Sequence, residues 1–283
     1  PYTTLFRSMP NYLMNITDYV REGGVVLDAT GPDLAEGQGL SRTPLGTMLP
    51  STPGSLLADA FVPQVSATGL RHPVTARLPN LRPDGTGAWG HWYRMAQLNP
   101  NADAQTLMTG IGGNPLLLLS SYGKGRVAQL ASDQLWLWGR GHDGGGPQLE
   151  LTRPLVHWLM KEPELEAEQI IPTVSDNQIA ITRRSLSPDT TPIEVTKPDG
   201  VKVSVTMTDN GRSSTGTLDA DQPGIYRLSD GRLNALALVG RPNAPELADQ
   251  RATAEKLQPV LAATRGGAFW LRDLPDEIGR AHV

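Results

Sequence analysis

The chain has 283 residues, with 29 acidic against 25 basic side chains and a formal net charge of −4, a balance that points away from nucleic acid as a partner. It contains no cysteine, which excludes disulfides, thiolate metal sites and thiol nucleophiles together. Its 30 glycines and 24 prolines punctuate apolar runs and form no low-complexity tract, so a folded, turn-rich chain is expected, long enough for two domains of roughly 100 to 200 residues each.

Leu13, Ile16 and Val20, with Tyr12 and Tyr19 alongside, recur at helical spacing and predict a helix over 11–22. Gly23 and Gly24 stop it, since glycine accepts the left-handed backbone of a helix end. The apolar run 25–27 reads as a buried parallel strand. It leads into Asp28-Ala29-Thr30-Gly31-Pro32, a turn at the carboxyl edge of a sheet, where open α/β folds bind ligands. Residues 33–90 read as loops, with a short helix at 44–48 and strands near 56–65.

Runs 105–109 and 116–121 are strand-like, and the turn 122–125 returns the chain into 126–131 as a hairpin. The longest apolar run, around 116–119, is far short of the ~20 residues a spanning helix needs. After the glycine-rich loop 141–146, Pro147 opens a helix whose Leu151, Leu155, Trp158 and Leu159 share a face. Pro163 closes it, and 164–168 reads as an acidic linker. Beyond 170, short alternating runs at 179–182, 193–196, 201–207, 224–228 and 233–238 are separated by Pro-Asp-Gly, Asp-Asn-Gly and Ser-Asp-Gly turns, the pattern of an immunoglobulin-like sandwich. Residues 245–263 are helical in pattern.

Several side chains invite a chemical reading. Trp136 and Trp138 could stack on a sugar or peptide, or pack in the core. Arg140, His142 and Asp143 follow in the same stretch as ligand-binding candidates. His142, Asp143 and His157 could supply nitrogen and oxygen ligands, but their spacing matches no metal motif, so neither a metal nor a cofactor is expected. His157 reads more simply as a hydrogen-bonded core histidine. The run Gly144-Gly145-Gly146 reads as a flexible connector or, less simply, an anion cradle at a helix start. Trp89, His91 and Trp92 read as a loop folded onto the core, and Arg183-Arg184 as a solvated strand edge.

Four segments resemble a family of bacterial, membrane-anchored glutamine amidotransferase-like proteins: 19–28 (YVREGGVVLD), 71–79 (RHPVTARLP), 123–166 (GKGRVAQLASDQLWLWGRGHDGGGPQLELTRPLVHWLMKEPELE) and 252–267 (ATAEKLQPVLAATRGG). The resemblance implies a flavodoxin-like class I glutamine amidotransferase-like α/β domain over 9–166 and a β-sandwich over 170–240. A helical tail over 241–276 would lead to a membrane segment. It also implies an inner-membrane protein with this portion periplasmic, often with a von Willebrand factor A-like region upstream. Its partners would be other domains of the same protein and cell-envelope proteins. Residues 1–8 and 277–283 resemble translated sequencing adapters, so the natural segment is expected to be 9–276.

Class I glutamine amidotransferases require a cysteine nucleophile, a histidine base and an orienting glutamate. By the resemblance, Asp28, Ala29 and Thr30 stand where the cysteine would be. Gln129-Leu130-Ala131-Ser132-Asp133 overlies the family's Gln-Phe-His-Pro-Glu, with alanine at the histidine position and aspartate at the glutamate position. The resemblance thus implies Asp28, Thr30 and Asp133 as candidate residues of a degenerate site, with no catalytic residue expected. The expected function is a non-catalytic scaffold or binding module. The alternative is a hydrolase or amidotransferase-type enzyme using Asp133 and His142, with or without a metal.

Overall fold

The computed structural model describes residues 10–29, 31–32, 40–175, 177–240 and 254–268, and the chain divides into two units, Pro1–Val239 and Gly240–Val283. In the larger unit, helix α1 (Pro10–Arg21) leads into strand β1 (Val25–Ala29) through Gly23, whose φ of 130° suits only glycine. Leu13 and Val20 of α1 pack on Leu45, Met48 and Val127. Strands β2 (Ser51–Leu57) and β4 (Met95–Pro100) pair with each other. Between them lie β3 (Gln64–Val65) and helix α2 (Ala67–Arg71), which Ser66 caps by accepting from Gly69 N. Strands β5 (Gln105–Thr109), β6 (Pro115–Tyr122) and β7 (Gly125–Leu130) follow, then helices α3 (Leu135–Gly139) and α4 (Gln148–Leu159).

The main sheet runs β1-β7-β6-β5-β3. Only β1 and β7 are parallel, with Val25 opposite Arg126 and Ala29 opposite Leu130; the other three pairings are antiparallel. A flavodoxin-like sheet is built from parallel strands joined by crossover helices. Here β6 and β7 are joined by a tight turn, with Gly123 at φ 59° and Tyr122 opposite Gly125, which leaves no room for a crossover. The flavodoxin-like, glutamine amidotransferase-like α/β expectation is therefore corrected: among the described residues the chain forms four sheets and few helices, a β-rich architecture. Leu116 to Leu119 are fully buried because β6 is the central strand of the sheet. Strand β1 lies at the sheet's edge, with Leu27 exposed.

From Gln169 to Val239 the chain forms two antiparallel four-stranded sheets. One, in the order β12-β13-β9-β8, uses β8 (Gln169–Ser175), β9 (Gln178–Arg184), β12 (Thr208–Asp209) and β13 (Ser214–Asp219). The other, β11-β10-β14-β15, uses β10 (Ile193–Thr196), β11 (Lys202–Val205), β14 (Gly224–Ser229) and β15 (Asn234–Val239). Alternate residues of both sheets, among them Ile179, Ile181, Val195, Tyr226 and Leu228, enclose one core. Gly200, Gly211 and Gly231, with φ between 87° and 92°, make the sharp turns after Asp199, Asn210 and Asp230.

Arg183 is not on a solvated edge. Its side chain is 2% exposed and pairs with Asp230 and Asp189 while donating to Thr191 O. Arg184 is half-buried and donates to the carbonyls of Glu164 and Glu166. The two parts of the unit are tied by Arg71, which donates to both carboxylate oxygens of Asp209 and to Ser185 O. Residues 164–168 are likewise not a free linker, because Glu166 takes two hydrogen bonds from Arg126.

In the second unit, a short 3-10 turn at Glu255–Leu257 precedes helix α5 (Gln258–Thr264), which ends at Arg265 in a left-handed conformation. The remainder of the expected helical tail, 241–253 and 269–276, lies outside the described residues. No helix among the described residues is long and apolar enough to cross a membrane. The inner-membrane, periplasmic placement rested on the family resemblance alone, and it is withdrawn with the flavodoxin-like fold that the resemblance implied.

Candidate binding surface

Because β1 and β7 run parallel as neighbours, their carboxyl ends reach the same edge of the sheet. Asp28 and Gln129 are in register there, and Gln129 Nε2 donates to Asp28 Oδ2 at 3.0 Å. Ser51 Oγ donates to Gln129 Oε1 at 2.5 Å, so the buried amide is held at both ends. The turn after β1 meets the segment after β7: a Cβ on Gly31 would sit 3.8 Å from Asp133 Oδ2. Thr30 lies outside the described residues. Ala131, at the position the resemblance assigns to histidine, is fully buried.

Asp133 is held by Arg94, whose Nε and Nη2 donate to its two oxygens at 3.1 and 2.7 Å. The pairing raises the Arg94 guanidinium above its ordinary range. Ser132 Oγ donates to Arg94 O and accepts from Gln134 N, and Gln134 Oε1 accepts from Tyr93 N at 2.6 Å. These bonds fix the loop bearing Tyr93 and Arg94 to the start of α3. Sequence reasoning missed both residues, because the loop has no periodicity and its partners lie about forty positions away.

The two tryptophans of α3 part company. Trp138 is buried, donates from Nε1 to Gly90 O at 2.9 Å, and packs on Trp89 and Trp92 with centroids 5.4 and 4.9 Å away. Trp136 is 55% exposed. The exposed Arg140 caps the helix, its backbone N donating to Trp136 O. His142 Nε2 lies 2.9 Å from the Tyr93 hydroxyl, and the two rings meet edge to face. Asp143 Oδ2 is 2.5 Å from His91 Nδ1, and that hydrogen bond holds the Asp143 carboxyl below its ordinary value.

The glycine-rich loop is close-packed only at its end, at Gly145 and Gly146, whereas Gly141 and Gly144 face open space. A Cβ on Gly146 would sit 2.4 Å from the Trp138 ring, and one on Gly90 would sit 2.3 Å from His142 O. His91 is half-exposed beside Asp143 instead of folded into the core. His157 is also half-exposed, 2.6 Å from Glu162, so it is not the core histidine that its apolar helix suggested.

Asp133 and His142 are therefore engaged by different partners, Arg94 and Tyr93. No group of three or more histidine, aspartate or glutamate side chains among the described residues could hold a metal. What α3 offers to solvent is the flat apolar indole face of Trp136.

No family model matches the chain, and no curated protein matches it. Among solved structures, it is similar to a cytoplasmic protein from Salmonella typhimurium at 20% identity and a TM-score of 0.41, covering 53% of this chain and 60% of that one. A second cytoplasmic protein, from Salmonella typhimurium LT2, gives 25% identity and 0.36 over 44% and 50%. The cold-adapted β-galactosidase from Rahnella sp. R3 gives 13% and 0.36, over 74% of this chain and 30% of that one. The chain spans less than two thirds of each of these structures, and similarity this distant carries no argument about fold or activity.

Proposed function

We propose that the chain is a non-catalytic binding module whose ligand contact is the exposed indole of Trp136, with Arg140, His142 and Asp143, which follow it in the same segment, as candidate polar contacts. The observation that carries this reading is the exposure of Trp136, 55%, in a segment whose other tryptophan is fully packed. An indole left in water keeps a large apolar face unburied, and stacking on a sugar ring or similar flat, hydroxyl-rich ligand would cover it. Asp133 is bonded by Arg94 and His142 by Tyr93, and no hydrogen bond joins Asp133 to His142 among the described residues. No specific observation favours the hydrolase reading.

Titration with peptidoglycan fragments and neutral oligosaccharides, followed by tryptophan fluorescence, tests the proposal. A saturable change that disappears in Trp136→Phe is expected. An emission spectrum unmoved by every ligand at millimolar concentration would count against it.

A further inference from the structure

A second feature lies away from the Trp136 surface. An open groove of about 990 Å³ runs between the segment after α2, helix α4 and strands β8 and β9. Arg77, Arg184 and Arg212 all line it, and none of the three has a carboxylate within ion-pair distance among the described residues. Arg71, the fourth arginine of the lining, is already neutralised by Asp209. The acids on the walls, Glu150 and Glu164, bond none of these guanidinium groups through their carboxylates.

Arg184 is the built element of the site. Its Nη1 donates to Glu164 O and Glu166 O at 2.7 and 3.0 Å, which fixes a half-buried guanidinium at the groove wall. Burial, and then the like charge of Arg77, push its pKa down from the ordinary arginine value. Two unneutralised arginines that repel each other in a partly desolvated groove are a cost to the free protein, and an anion placed between them relieves it. Guanidinium forks match the paired oxygens of carboxylates and phosphates.

We infer that this groove binds a small oxyanion, a phosphate- or carboxylate-bearing molecule, through Arg77, Arg184 and Arg212. Val74, Pro154 and Ile171 supply apolar wall beside the arginines, so the ligand carries a non-polar portion next to its anionic group.

Calorimetric titration at low ionic strength with inorganic phosphate and, separately, with citrate tests the inference and distinguishes the two sources of the anionic group. Saturable heat with at least one of them is expected. Arg77 and Arg212 are exposed, so the double variant R77Q/R212Q retains the fold; it should weaken binding at least tenfold, whereas R227Q on β14, outside the groove, should leave it unchanged. The inference fails if neither probe binds at 10 mM, or if R77Q/R212Q and R227Q weaken binding equally, which would mark a general surface-charge effect. Neither outcome bears on the Trp136 surface.

Discussion

Arg94 closes on Asp133 across 39 residues of sequence, giving each carboxylate oxygen its own hydrogen bond. The pair joins the loop after the tryptophan-rich stretch 89–92 to the strand edge at which β1 and β7 end. Both side chains are partly exposed, 42% and 35%, so the bond serves geometry more than stability. Replacing Arg94 by alanine is expected to cost less than about 1 kcal/mol. Thermal unfolding would show this as a shift of a few degrees at most; a much larger loss would mean that the pair holds the fold itself.

The two tryptophans of α3 should respond in opposite ways. Trp138→Ala removes a buried ring packed against two others and is expected to cost about 3–5 kcal/mol. Trp136→Ala should stay within about 0.5 kcal/mol. Urea unfolding measures both, and acrylamide quenching should be weaker in Trp136→Phe than in the wild type.

Arg183 lies in the sandwich core with Asp230 and Asp189. Arg183→Met strands a buried carboxylate and is expected to lower stability by about 3–5 kcal/mol. Adding Asp230→Asn to that variant should recover part of the loss, because the uncompensated charge is then gone. Chemical denaturation of the single and double variants decides it; a double variant no more stable than the single would remove the ion pair from the account.

His72 predicts an acid-sensitive fold. Its ring is fully buried, Nδ1 accepts from Val74 N, Nε2 has no hydrogen-bond partner among the described residues, and burial followed by Arg184 and Arg126 lowers its pKa to about 3. Between roughly pH 6.5 and 3 the unfolded chain binds a proton that the folded chain does not, so stability falls as pH falls through that window. The slope for one proton is about 1.4 kcal/mol per pH unit. Denaturation midpoints at pH 7, 6 and 5 should drop in the wild type and drop less in His72→Gln.

The readable parts of this chain are those whose signals are local. Helices over 10–21 and 148–159 and the hairpin through Gly123 follow from spacing and turn residues within a dozen positions. Strand direction is not local, and the family resemblance pointed to a parallel sheet where the hairpin signal already opposed it. Arg183 was legible and overlooked: Ile179 and Ile181 face the core, and a period of two puts Arg183 on the same side. The partners of Asp133, His142 and Asp143 were not legible, since Arg94, Tyr93 and His91 come from an aperiodic loop that only the folded chain brings near.

Whether the Trp136 surface binds without turning over its ligand is decided by calorimetric titration of a peptidoglycan fragment into the protein, with mass analysis of the ligand afterwards. Saturable heat that Trp136→Ala abolishes is expected, with the ligand recovered unchanged in mass. Cleavage of the ligand at a rate that Asp133→Asn eliminates would contradict it.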